Sequence, residues 1–66
     1  MERQDLIKWR KEHGLTQKQL SDFLGVRNMT VYRWECGMRA IPSLLPLALK
    51  GLERELEREV ENGMHQ

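Results

Sequence analysis

Gln17–Cys36 reads QKQLSDFLGVRNMTVYRWEC, and its apolar spacing decides the fold. Leu20, Leu24, Val26, Val31 and Trp34 fall where two short helices folded across each other would bring them together, with small Ser21 at the crossing and Gly25 at the bend. Those spacings predict a helix-turn-helix over residues 17–36. The second helix, from about Asn28 to Glu35, can bury only Val31 and Trp34, with Thr30 and Glu35 beside them. Arg27, Asn28, Met29, Tyr32 and Arg33 are left facing outward, a set chemically suited to a major groove.

The flanking sequence supplies the other helices. A first helix is predicted from Arg3 or Gln4 to His13, with Leu6, Trp9 and part of Ile7 inward. Gly14 closes it, since glycine takes the left-handed conformation that ends a helix, and Leu15 covers the end. Thr16 then opens the second helix as Thr-x-x-Gln, in which the Thr16 hydroxyl and the Gln19 amide satisfy each other's backbone donors. That helix presents Leu20, Phe23 and Leu24 to the core, and Gly25 stops it. Gly37 ends the third helix, and Met38 to Ile41 form a basic loop.

Pro46 locates the last helix, because a proline is tolerated in the first turn and clashes further in. With Ser43 as its cap, a helix of about 43–62 follows, its stripe Leu45, Leu49, Leu52, Leu56 and Val60 recurring every three or four residues until Gly63. Leu45, Ala48, Leu49 and Leu52 suffice to close the core. Leu52, Leu56 and Val60 therefore offer a dimerisation seam flanked by Glu53, Arg54, Glu57 and Arg58. The other reading of this segment is a solvated tail with Glu and Arg paired along the helix.

Composition sets the class. Sixty-six residues, 39% hydrophobic and 32% charged, allow one domain, 1–66, because a chain this short buries only roughly 60% of its unfolded surface. Mean hydropathy of -0.68, with no apolar run near the ~18 residues of a spanning helix, argues against a membrane segment. The N-terminus, Glu2-Arg3-Gln4-Asp5, lacks the apolar block of a signal peptide. A cytoplasmic protein is expected, associated with the nucleoid when bound to DNA. Residues 1–50 carry about +4 and residues 51–66 about -3, a basic body with an acidic end.

Other chemistries find little here. Cys36 is the single cysteine, so it forms no internal disulfide and, without a partnering base, reads as packed or idle. His13 and His65 lack the companions of a zinc site. No metal or cofactor is expected. An enzyme is not expected either, since no carboxylate pair, activated nucleophile or phosphate loop is present.

On the helix-turn-helix, side chains that reach base edges specify sequence and those at phosphates fix position. Asn28 can pair bidentately with adenine and Arg33 with guanine, each discriminating by about 1–3 kcal/mol, while Met29 presses a thymine methyl. Asn28 has a second reading as the cap of the third helix, because Arg27 is a poor cap. Gln17 and Lys18 sit at a helix start that favours phosphate. Arg27 and Arg39 grip the backbone at the other end, and Tyr32 meets phosphate or an apolar edge. Thr30 is a phosphate contact or a satisfied helix residue, and Trp34 is core.

Arg10, Gly14-Leu15-Thr16-Gln17, Leu20, Leu24-Gly25-Val26, Thr30-Val31, Arg33-Trp34-Glu35, Gly37, Arg39 and Ile41-Pro42 together resemble the small Cro and phage-repressor type, or XRE family, of helix-turn-helix proteins. The resemblance covers Leu6 to Leu52. It implies an all-α, lambda-repressor-like domain of four or five helices acting as a transcriptional regulator. It further implies that Gln17, Asn28, Met29 and Arg33 lie at DNA-contacting positions and that Arg10 reaches Glu35 to tie two helices together. Ser21 replaces the family's usual alanine, tolerable because a hydroxyl can bond back to a helix carbonyl, and Arg27 replaces its small polar cap.

The expected function is a sequence-specific, double-stranded DNA-binding repressor, a homodimer on an inverted repeat. By analogy with small anti-CRISPR-associated regulators and antitoxins, it would serve a phage or mobile-element operon. The alternative is a protein-interaction module or antitoxin that uses the same fold to bind a partner protein.

Overall fold

The computed structural model describes the backbone of residues 1–64 and the side chains of residues 1–58. Four helices follow in order, α1 (Arg3–Glu12), α2 (Gln17–Leu24), α3 (Asn28–Cys36) and α4 (Leu45–Met64), with no strand among the described residues. No helix there is long and apolar enough to cross a membrane.

Local chemistry sets the boundaries. The Asp5 carboxylate accepts from the Glu2 N–H at 3.0 Å and so ties down the start of α1. At α2 the Thr16 hydroxyl accepts from the Gln19 N–H at 3.0 Å and the Gln19 side chain accepts from the Thr16 N–H at 2.9 Å, the reciprocal box that its sequence predicts. Gly25 at φ 71° and Gly37 at φ 77° close α2 and α3, in a region where a β-carbon is strained.

The core is a single cluster of Leu6, Leu20, Val31, Trp34, Leu45 and Leu49, against which Trp9, Leu15, Leu24, Val26, Ile41 and Leu52 pack. Every helix contributes to it. Ser21 is buried at the α2–α3 crossing, and its hydroxyl donates to the Lys18 carbonyl at 2.6 Å, so a polar atom enters the crossing without being left unpaired. The Trp34 indole N–H is buried with no partner among the described residues, which costs about 1–3 kcal/mol and marks the ring as a packing element.

Several sequence expectations require correction. Phe23 is 49% exposed and not core, because Leu20 and Leu24 already fill the inward face of an eight-residue helix. Ala48 is exposed, one position round from Leu45 and Leu49. Helix α4 starts at Leu45 and not at a Ser43 cap: the Leu45 N–H donates to the Pro42 carbonyl at 3.0 Å, and this turn consumes Ser43. Pro46 nevertheless lies in the first turn, where its missing N–H removes nothing. The helix also runs one residue past the expected stop at Gly63. His13 caps α1 instead of belonging to it. The chain measures 43 × 19 × 19 Å, elongated by the ~1.5 Å per residue that α4 adds as it leaves the core.

Candidate nucleic-acid interface

The interface is built on how α3 is held. Glu35 is on its buried side, and its carboxylate takes two bonds from Arg10 of α1, Nε at 2.7 Å and Nη2 at 3.0 Å. The Arg10 side chain is 15% exposed and that of Glu35 5%. The third guanidinium nitrogen donates to the Leu15 carbonyl at 2.9 Å, binding the α1–α2 turn into the same network. The hydrogen bond to Glu35 outweighs desolvation and raises the Arg10 guanidinium above its ordinary range, so Arg10 stays charged.

Gln17 completes this network. Its side-chain Nε2 donates to Glu35 Oε1 at 3.1 Å, a contact that the sequence reading did not anticipate. The amide is thereby turned toward α3 at the start of α2. The backbone N–H groups of Gln17 and Lys18, in the first turn of that helix, have no intrahelical acceptor and present a positive dipole end to an anion. Lys18 is exposed, loosely paired with Asp22 at 3.6 Å one turn on.

With Val31, Trp34 and Glu35 buried, Asn28, Met29, Tyr32 and Arg33 are exposed. The i, i+4 relations of Asn28 with Tyr32 and of Met29 with Arg33 place them in two adjacent rows on one helix face. Arg27 occupies the cap position without a side-chain cap bond, and Asn28 is the first helical residue. The reading of Asn28 as cap is therefore wrong, and its amide is free of that task. Thr30 is half-buried. Cys36, one turn on from Tyr32, raises the Tyr32 phenol above its ordinary range. Past α3, Arg39 is exposed, and its N–H donates to the Arg33 carbonyl at 3.2 Å.

The family model for helix-turn-helix domains, HTH_3, matches residues 6–49, two thirds of the chain. The chain belongs to this helix-turn-helix family of the Cro/XRE type. As a member of the XRE-type family it is a DNA-binding regulator, and the all-helical architecture agrees with that membership. Comparison with curated proteins and with solved structures finds no match. Besides the Gln17 bond, the sequence reading missed Arg3, whose Nη1 donates to the Cys36 carbonyl at 3.4 Å. A cation at this helix end is favourable, but no sequence spacing connects α1's first residue with α3's last. His13, stacked on Trp9 with ring centroids 4.0 Å apart and 3.6 Å from Glu53 of α4, was equally hidden.

Proposed function

We propose that this chain is a sequence-specific repressor that binds double-stranded DNA as a homodimer on an inverted repeat. One observation carries the reading: the buried side of α3 is locked by the Glu35 network while Asn28, Met29 and Arg33 stand exposed on the opposite side. A rigid helix bearing an amide, a thioether and a guanidinium has the chemistry of base readout. Gln17, Lys18, Arg27, Thr30, Tyr32 and Arg39 serve the backbone, with the α2 N-terminus seating a phosphate. One subunit reads too few bases to be selective, so two copies with recognition helices about 34 Å apart would share the duplex.

The dimer is assigned to α4. Of the stripe named for it, Leu52 packs against the core and Leu56 is half-buried, while the Val60 side chain lies outside the described residues. The protein works in the cytoplasm, without metal or cofactor, as one domain regulating a phage or mobile-element operon. Selection of bound sequences from random duplex DNA at physiological salt tests the reading. A recovered palindrome supports it and gives the half-site spacing. Recovery of no motif overturns it in favour of a module that binds a partner protein.

A further inference from the structure

Beside the end of α3 lies a cleft between the start of α1 and the loop that follows Gly37. Its volume of about 350 Å³ falls within the roughly 300–1,000 Å³ of small-molecule sites. Arg3 and Arg39 both line it, and neither guanidinium enters an ion pair among the described residues. Arg3 uses one N–H on the Cys36 carbonyl, at a long 3.4 Å, and keeps its other donors. Trp34 and Ile41 add an apolar wall. We infer that this cleft binds a small organic anion, a carboxylate on a flat apolar body, and that the bound anion competes with DNA for Arg39. The competition rests on the phosphate role proposed above for Arg39, whereas the site itself does not.

Three observations point to this ligand. First, two like charges share one cleft with no carboxylate paired to either, a repulsion that an oxyanion between them removes. Guanidinium groups also match a carboxylate with two parallel bonds. Second, Trp34 is 5% exposed, and its indole N–H is the one buried side-chain polar atom without a partner among the described residues. Packing alone leaves that donor unpaired; an acceptor lodged against the ring gives it a partner. Third, Glu2 also lines the cleft. Its carboxylate leaves the lining side chains one positive charge in excess, which suits a monoanion and disfavours a dianion. A DNA phosphate needs the guanidinium groups alone, whereas the wall of Trp34 and Ile41 offers apolar surface to the rest of a ligand. Arg39 follows α3 with its N–H on the Arg33 carbonyl, so an anion held on its side chain withdraws that cation from the DNA backbone. By linkage, DNA weakens the anion by the same factor.

Titration of the full chain with benzoate, at constant ionic strength and without DNA, tests the site through the two indole N–H resonances, which Trp9→Phe assigns. Benzoate is expected to shift the Trp34 resonance saturably and to leave that of Trp9 in place. Benzyl alcohol, with the ring but no charge, and acetate, with the charge but no ring, should both bind more weakly. Arg3→Gln and Arg39→Gln should each raise the Kd for benzoate about tenfold, the loss of a charge-assisted bond. Arg3→Lys should retain part of the binding, and Glu2→Gln should tighten it, with helical circular dichroism unchanged in every variant. Saturating benzoate should lower the affinity of the wild type for duplex DNA but not that of Arg3→Gln, whose base preference stays that of the wild type. Absence of a saturable shift at Trp34, or equal binding by Arg3→Gln and Arg39→Gln, overturns the site. Unchanged DNA affinity with benzoate bound overturns the competition. A wild type without any base preference sinks the repressor reading, while the titration still judges the site.

Discussion

The Gln17 amide of α2 donates to Glu35 of α3 at 3.1 Å, on the same carboxylate oxygen that accepts Arg10 Nη2 at 3.0 Å. One carboxylate thus fixes both α3, the helix proposed to read bases, and the start of α2, proposed to seat a phosphate, and holds the two in a set relation. Gln17→Ala loosens that relation while leaving the backbone N–H groups of α2 in place. Binding should fall by a similar factor on every sequence, and the salt slope should stay where it was because no cation is lost. A change confined to particular operator positions would show that Gln17 reads bases instead.

The same carboxylate makes Arg10 hard to replace. Arg10→Met leaves Glu35 buried with the Gln17 amide as its remaining side-chain partner. That should cost about 3–5 kcal/mol, a large part of the roughly 3–10 kcal/mol available to a chain of this length. Arg10→Met with Glu35→Leu should recover much of the loss, because no charge is then stranded. Thermal unfolding followed by circular dichroism measures both. A loss below ~1 kcal/mol for Arg10→Met would be that of an exposed pair and would contradict the burial.

The parts of the fold legible in the sequence were those set by local chemistry. Thr16 with Gln19, Gly25 and Gly37 each impose a geometry on their own neighbours, so the limits of α2 and α3 could be read directly. The Arg10–Glu35 tie came only with the family resemblance, since nothing in a separation of 25 residues indicates contact. Phe23 was misplaced because helical periodicity gives an angle but not how many side chains an eight-residue helix has room to bury. Following the stripe Leu45, Leu49 and Leu52 also drew the eye from Leu44 and Leu47, whose exposure depends on where α4 docks. Within the site, the outward set on α3 was legible because it is the complement of Val31 and Trp34. The engagement of Gln17 was not, because it depends on a through-space approach of α2 to α3.

Tyr32 gives a test in alkaline solution. The Cys36 thiol raises the phenol above its ordinary value near ~10, which means the folded chain holds that proton more tightly than the unfolded chain does. The contribution is present in full below the unfolded value and is lost as pH rises through the folded one. Phenolate absorbance should appear at higher pH than for free tyrosine, and Cys36→Ala should bring it back down. Because Tyr32 stays neutral throughout the neutral range, the phosphate contact proposed for it would be made by an uncharged hydroxyl, and DNA affinity should not change through its titration there. A wild-type curve that matches the Cys36→Ala curve would remove the thiol as the cause.

Arg33 and Arg39 carry the same charge but are assigned different work. Arg33 stands in the exposed row with Met29 on α3, whereas Arg39 lies beyond Gly37 with its N–H on the Arg33 carbonyl. Arg33→Ala should therefore cost about 1–3 kcal/mol at its own operator position and relax base choice there. Arg39→Ala should weaken all duplexes alike and lower the salt slope by about one. Titrating both variants against the selected operator and its single-base variants, at two or more salt concentrations, separates the roles. Arg33→Ala must relax preference at one base pair in each half-site, because a two-fold dimer presents the residue twice. A purely uniform loss would return Arg33 to the phosphate backbone and leave Asn28 and Met29 as the readers.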